Sequence, residues 1–392
     1  MEQHQKHTKL AKPNYGNFGR NEWAILGTPC GVIQKLAKEL SKSIPPPYQT
    51  AYVDADHKAG DEADTLPFFL EYTDKINYNR FDIQGKLTPF QYRSQFNEAD
   101  IVLINGNHFE GKRQIVVLDE RKFESLSRKL NRLTQVDMFI VLDNMDTADL
   151  STAEKLSNRV PPFLKNHLPN WGDIPIYKIN DITEITNHLI TQSSFVPIQS
   201  LILVGGKSTR MGRDKAQIDY HGKPHWAYVR SLMYDVRCNI EPEVYLSCRF
   251  EQQENFNGVK LITDTFTDLG PYGAILSAFR ENPNVAWLVV ACDLPLLDNA
   301  TLQHLIDNRN PSKIATTFKS PVSPEGFPEP LITIWEPKSY PILLQFLAQG
   351  ISCPRKVLIN SDVALLDAPN PQALMNVNTK EEYEIVQSKI HI

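Results

Sequence analysis

Leu201-Ile202-Leu203-Val204-Gly205-Gly206-Lys207-Ser208-Thr209-Arg210-Met211-Gly212-Arg213-Asp214-Lys215 decides how this chain folds. An apolar run with the look of a buried strand passes directly into a glycine pair, two hydroxyls and a series of cations. Glycines let backbone N–H groups approach phosphate oxygens and permit positive φ. Lys207, Arg210 and Lys215 add positive charge that can neutralise a phosphoryl group in transfer. The stretch is not a Walker A loop: a pattern ending in Gly206-Lys207-Ser208 requires glycine at 201, where Leu201 stands inside the strand. It predicts a triphosphate cradle at the end of a buried strand.

Outward from that cradle, short apolar runs alternate with helical stretches, the pattern of α/β architecture with a parallel sheet. In the second half, strands are expected at Leu201–Val204, Glu243–Leu246, Lys260–Ile262 and Ala286–Ala291, and helices at Trp226–Tyr234 and Ala274–Arg280. That is a doubly wound, Rossmann-like sheet, which binds ligands at the carboxyl ends of its strands. In the first half, Trp23–Leu26, Thr50–Val53, Ile101–Ile104, Met138–Leu142 and Ile174–Ile179 read as strands, and Val32–Lys42, Phe123–Leu133 and Ile182–Gln192 as helices. A length of 392 residues favours two domains. The polar Gln192-Ser193-Ser194 and Pro197 put their boundary near 196, giving domains 1–196 and 197–392.

Composition narrows the function. Hydrophobic content of 41% and charged content of 22% describe a globular chain. A net charge of −5 without a Lys/Arg block gives no reason to expect nucleic acid or an anionic membrane as partner. Five scattered cysteines without a C-x-x-C pair argue against a disulfide framework or a zinc site, and fit a reducing cytoplasm. Residues 1 to 21 lack the apolar core of a signal peptide, no run approaches a membrane span, and the leader is expected to be disordered at its start.

Asp293 closes the run Ala286 to Cys292, where a carboxylate emerges from a buried strand; it reads as a Mg²⁺ ligand, or as a turn former before Leu294-Pro295. Asp264 follows the strand Val259 to Ile262 and, with Thr265 and Asp268, could form a solvated turn closed by Gly270-Pro271. Met375-Asn376-Val377-Asn378-Thr379 is expected to end a strand and enter a helix, with Thr379 and Glu382 forming a capping box.

With these residues identified, the signature L-x-G-G-x-S-x-R-M-G-x-D-K at Leu203–Lys215 resembles that of the nucleotidyltransferases that include molybdenum cofactor guanylyltransferase. Three stretches continue the resemblance in order: Asp264–Ser277 (DTFTDLGPYGAILS), Val289–Leu296 (VVACDLPL) and Met375–Tyr383 (MNVNTKEEY). It spans about residues 198 to 390, half the chain. It implies a Mg²⁺-dependent transfer of GMP from GTP to a molybdopterin-type acceptor, with pyrophosphate leaving. A phosphate acceptor is already anionic, so such chemistry needs alignment and charge neutralisation rather than a general base.

The resemblance assigns roles. Arg210, Lys215 and Asp293 are catalytic, Asp293 also holding the metal. Leu203, Val204, Gly205, Gly206, Lys215, Ser247, Asp264 and Asp293 bind the nucleotide, and Asn376, Asn378, Arg355 and Lys356 the acceptor. Ser247 stands where the family often has asparagine, and Ala274 where it more often has glycine. GTP is preferred over CTP because the family's cytidylyl branch has L-A-A-G and lacks the D-K pair. Expected partners are GTP and the small-molecule acceptor, with molybdoenzymes, cofactor-insertion proteins and a homo-oligomer as further options. The alternatives are a sugar-phosphate acceptor or CTP on the same fold, or a non-catalytic cofactor-binding or assembly protein.

The first half weakly resembles the GTPase partner protein of that transferase, a P-loop NTPase. Gly27-Thr28-Pro29-Cys30-Gly31 sits between strand and helix as a P-loop would, and Ala99–Asn107 resembles that family's D-x-V-L-V-E-G stretch. The decisive residues are missing: Val32, Ile33 and Gln34 occupy the Gly-Lys-Ser/Thr positions, and Asn105 the acidic one. A degenerate P-loop-like domain is expected there. Asp54, Asp56, His57 and Asp61 read as a solvated turn.

Overall fold

The computed structural model describes residues 16–55, 68–142, 159–193, 196–206, 215–236 and 243–390. Arg210, Lys207, Asp214, Asp56, His57, Asp61 and residues 1–15 of the leader lie outside the described residues. The chain divides into two compact units, one built on Asn21–Leu189 and the other on Asn17–Arg20 with Ile190–Ile392. Among the described residues no helix is long and apolar enough to cross a membrane.

The first unit holds β1 (Asn21–Leu26), β2 (Thr50–Val53), β3 (Leu70–Asp74), β4 (Asn79–Ile83), β5 (Ile101–Asn105), β6 (Arg113–Leu118), β7 (Val136–Val141) and β8 (Ile176–Lys178). Six of them form one sheet in the order β2-β5-β1-β6-β7-β8, and every pairing in it is parallel. β3 and β4 form a separate antiparallel pair. β1 and β5 are buried along almost their whole length, as a sheet covered on both faces demands. The helix Cys30–Ser43 lays Ile33, Leu36, Ala37 and Leu40 on one face of the sheet, the i, i+3, i+4, i+7 stripe of an amphipathic helix.

Two expectations for this unit need correction. β6 is a central strand that the short apolar run Ile115–Leu118 did not announce. Residues 123–133 are not one helix: an α-helical turn at Phe123–Ser127 gives way to a 3-10 turn at Leu130–Arg132. Lys129 Nζ and Arg132 Nη1 reach the carbonyls of Asn107 and Gly106, and this tether to the end of β5 accompanies the tighter winding.

The second unit holds β9 (Ile198–Leu203), β10 (Val244–Cys248), β11 (Lys260–Thr263), β12 (Ala286–Ala291), β13 (Ala315–Lys319), β14 (Pro328–Trp335) and β15 (Val363–Leu366), in the order β11-β10-β9-β12-β14-β13-β15. β11, β10, β9 and β12 run parallel, but β14 is antiparallel to both its neighbours. The sheet is therefore mixed rather than wholly parallel. β13 and β14 are joined by a short turn, closed by Ser320 N donating to Phe327 O at 2.7 Å, and so short a link permits only antiparallel pairing.

Both faces of this sheet are covered. Ile202, Leu288 and Val290 share a core with Val229, Leu232 and Met233 of the helix His225–Asp235. Leu201, Trp287 and Val289 point the other way, to Ile275, Leu276 and Phe279 of the helix Pro271–Glu281. The two-residue period of a strand accounts for this alternation. It leaves the carboxyl ends of β9, β10, β11 and β12 as the free edge on which a site can be built.

Candidate active site

Strand register brings the predicted residues together. Leu203 is aligned with Ser247 on one side and Ala291 on the other, while Cys248 is aligned with Thr263. The ladder continues past the strands: Val204 N donates to Ser247 O, Asp264 N to Cys248 O and Cys292 N to Leu203 O, at 3.0, 3.0 and 3.3 Å. Val204 to Gly206, Arg249, Asp264 and Asp293 consequently open from one edge.

They line a cleft of about 930 Å³, together with Lys215 and Asn378. Nothing lies within 4 Å of where a Cβ on Gly206 would be, and Gly205 is backed by Asp264 Oδ2 at 3.4 Å from such a Cβ. Gly206 thus leaves open space beside the backbone. Opposite them, Gly270 takes a φ of 58° and Pro271 begins the helix Pro271–Glu281. Gly273 is sterically obligatory, because a Cβ there would collide with the Phe266 carbonyl. Ala274 lines the cleft itself.

Asp293 Oδ1 is buried and has no hydrogen-bond partner among the described residues. Burial raises the Asp293 carboxyl above its ordinary value; Lys215 pulls it back down, and the Glu329 charge pushes it up. Burial also raises Asp264, against the hydroxyl of Ser247, which donates to Asp264 Oδ1 at 2.7 Å, and the charge of Arg249. Lys215 Nζ donates to Asn378 Oδ1 at 2.6 Å, joining residues 163 positions apart.

The closing motif is held against the turn at Asp293. Val377 N donates to Asp293 O at 2.9 Å, so residues 375–378 dock on the Asp293 turn. No strand ends there, contrary to expectation: a 3-10 turn, Pro371–Leu374, precedes the segment, which has left the sheet to make that contact. The capping box is present, with Glu382 N donating to Thr379 Oγ1 and Thr379 N to Glu382 Oε2. Beneath the Asp293 turn, His225 is fully buried and Tyr220 packs edge-on against it, 5.3 Å between ring centroids.

Other predicted residues are placed elsewhere. Asn376 is exposed and does not line the cleft. Arg355 is engaged by Glu329, Nη2 to Oε2 at 3.1 Å, and Lys356 is exposed. Sequence reading missed Arg249 and Phe250, which follow β10 and line the cleft. Arg249 Nε donates to Gly205 O at 3.1 Å. Their position just past a strand's carboxyl end, level with Gly205 and Asp293, is the signal that could have found them.

A model described as the MobA-like NTP transferase domain matches residues 200–364. A "Probable molybdenum cofactor guanylyltransferase" of Nostoc sp. is 30% identical over 199 residues, covering 49% of this chain and 91% of that protein. The chain belongs to the MobA-like NTP transferase family. Its MobA-like part is the second unit, and it is a nucleotidyltransferase. A "Molybdenum cofactor biosynthesis bifunctional protein" of Synechocystis sp. is 33% identical over 192 residues, which is 48% of this chain. Against that relative the MobA-like chain spans about half the length, 54%. The crystal structure of molybdopterin-guanine dinucleotide biosynthesis protein A from Archaeoglobus fulgidus is 20% identical, covering 49% of this chain and 98% of that one at a TM-score of 0.42.

Proposed function

We propose that the second unit transfers GMP from GTP to a molybdopterin-type acceptor carrying molybdenum, releasing pyrophosphate. The observation that carries this reading is the convergence of Gly205, Gly206, Lys215, Asp264, Asp293 and Asn378 on one cleft, in a chain whose relatives bear the name molybdenum cofactor guanylyltransferase. An oxygen of the acceptor's phosphate attacks the α-phosphorus, and the bond to pyrophosphate breaks. Lys215 neutralises phosphate charge, the amides of the glycine pair approach the triphosphate, and Asn378 fixes the lysine.

Asp293 fits a divalent cation, because its buried Oδ1 is a hard oxygen ligand without a partner among the described residues. Mg²⁺ bound there would supply Lewis-acid stabilisation of the reacting phosphate. Arg355 would have to exchange Glu329 for an acceptor phosphate, so the acceptor competes with that pair. GTP is favoured over CTP by Gly205-Gly206 and Asp214-Lys215.

For the first unit we infer a P-loop-type architecture without its nucleotide chemistry, kept as a docking or oligomerisation module. Ile33, at the lysine position, is fully buried in the core and leaves no cation for β/γ-phosphates. The decisive experiment for the whole reading incubates the protein with Mg²⁺, each of GTP, CTP and ATP, and molybdenum-loaded molybdopterin, and measures pyrophosphate. Acceptor-dependent release with GTP is expected; release that ignores the acceptor, or that is equal with CTP, overturns it.

A further inference from the structure

Outside the transfer cleft, polar side chains of the first unit gather where β1, β2 and β5 end. Cys30 begins the helix Cys30–Ser43, and its Sγ lies 3.2 Å from His108 Nε2 in the turn after β5. The cysteine is half-buried. Asn107 Nδ2, which donates to Thr28 O at 3.0 Å, stands 3.6 Å from the same sulfur. Lys129 donates to Asn107 O and its charge acts on Cys30, as does that of Arg132 on Lys129. Asp54, fixed by Tyr52 Oη, Ala55 N and Asn105 Nδ2, acts on His108, and Tyr52 also faces Cys30.

A thiol with a base in reach, and a carboxylate acting on that base, is the arrangement a nucleophilic cysteine needs. The amide donor Asn107 Nδ2 and the Lys129 charge lie beside this sulfur. The other described cysteines differ. Cys248 and Cys292 are buried, and burial with the Asp264 charge pushes the Cys248 thiol up to about 11. Cys353 is simply exposed.

We propose that Cys30, with His108 as its base, is a nucleophilic site that forms a mixed disulfide with low-molecular-weight disulfides. As Sγ attacks one sulfur of R–S–S–R, its proton passes to His108 Nε2. The new S–S bond forms while the old one breaks, and the departing RS⁻ takes that proton. Cys30 is oxidised, one thiol is released as the reduced product, and no other reactant is needed. Acyl transfer fits less well: Val32 N and Ile33 N, amides of the helix's first turn that could hold an oxyanion, already donate to Pro29 O. The other described cysteines belong to the second unit, so within the first unit the adduct persists rather than resolving to an internal disulfide.

The test exposes the full chain to oxidised glutathione at pH 6 and follows each cysteine by peptide mass spectrometry, with Cys353 as internal reference. An ordinary thiol is only about 0.3% ionised at that pH, whereas a base in place should give Cys30 a lead of about tenfold or more. His108→Ala should bring the two rates together, and the wild-type ratio stands as a readout should that variant fold poorly. Cys30 reacting no faster than Cys353 in the wild type, or keeping its lead in His108→Ala, overturns the proposal.

Discussion

Two strand-to-helix junctions, one in each unit, leave the carboxyl end of a parallel strand by way of glycine, and they are filled in opposite ways. After β1, Gly27 has a φ of 91° and packs so closely that a Cβ would collide with the Val117 carbonyl. The polar groups around it are matched within the protein: Thr28 Oγ1 donates to Asp119 Oδ2 at 2.8 Å, Arg121 pairs with the same carboxylate, and Asn105 donates to Asp54. After β9, Gly206 faces open space, Asp293 Oδ1 is buried without a partner among the described residues, and Asp264 and Asp293 are both raised by burial. A buried charge left unpaired costs stability. The first junction holds a fold together; the second carries a cost that a cationic ligand would offset.

The sharpest way to break this contrast is Asp293→Asn. Transfer should fall on the order of 10²-fold or more, read from pyrophosphate release at saturating Mg²⁺. The free protein should melt no lower than wild type. The sign follows from the raised carboxyl: at neutral pH its charge is easier to carry unfolded than folded, a penalty that fades as pH falls through the raised value. A large drop in melting temperature would mean that Asp293 is structural.

A second test concerns the support under that turn. Burial drives His225 from its ordinary value down to about 3. The imidazole is neutral when folded and takes up a proton more readily when unfolded. Stability is therefore complete above about pH 6.5 and declines as pH falls toward 3, by up to about 1.4 kcal/mol per pH unit. Denaturant unfolding at pH 7 and pH 5 should show this slope, and His225→Phe should flatten it. An unchanged slope in the variant would assign the acid sensitivity to other groups.

Lys215→Met should lower kcat/KM for GTP by roughly tenfold to a hundredfold, the scale of a charge-assisted hydrogen bond. Combined with Asn378→Ala, the two losses should add to less than their sum, since the pair shares one contact. Full additivity would mean that the contact is incidental.

The smallest effect belongs to the other junction. Thr28→Val deletes a buried hydroxyl that bonds Asp119, and should cost about 1–2 kcal/mol of stability while leaving transfer unchanged. Calorimetric titration of the wild type with GTP and Mg²⁺ should likewise show one site per chain. A second site of micromolar affinity would remove the contrast between the junctions.

The sequence by itself determined the α/β class, most strands of both units, and the approach of Leu203, Val204 and Asp293 to a common edge, because strand periodicity and glycine-rich turns are encoded within a few neighbouring residues. It could not determine what lies across from what. β6 needed β1 and β7 beside it to become a strand, and β14 turned antiparallel because of the turn before it. The Ser247–Asp264, Lys215–Asn378 and Arg355–Glu329 contacts, and the docking of Val377 on Asp293, join residues 17 to 163 positions apart. Such pairings leave no local pattern, since a side chain's partner and its desolvation are fixed only when distant strands pack. The types of residue able to bind a nucleotide were therefore legible in the chain, while their charge state, and which of them already had partners, were set by the tertiary structure alone.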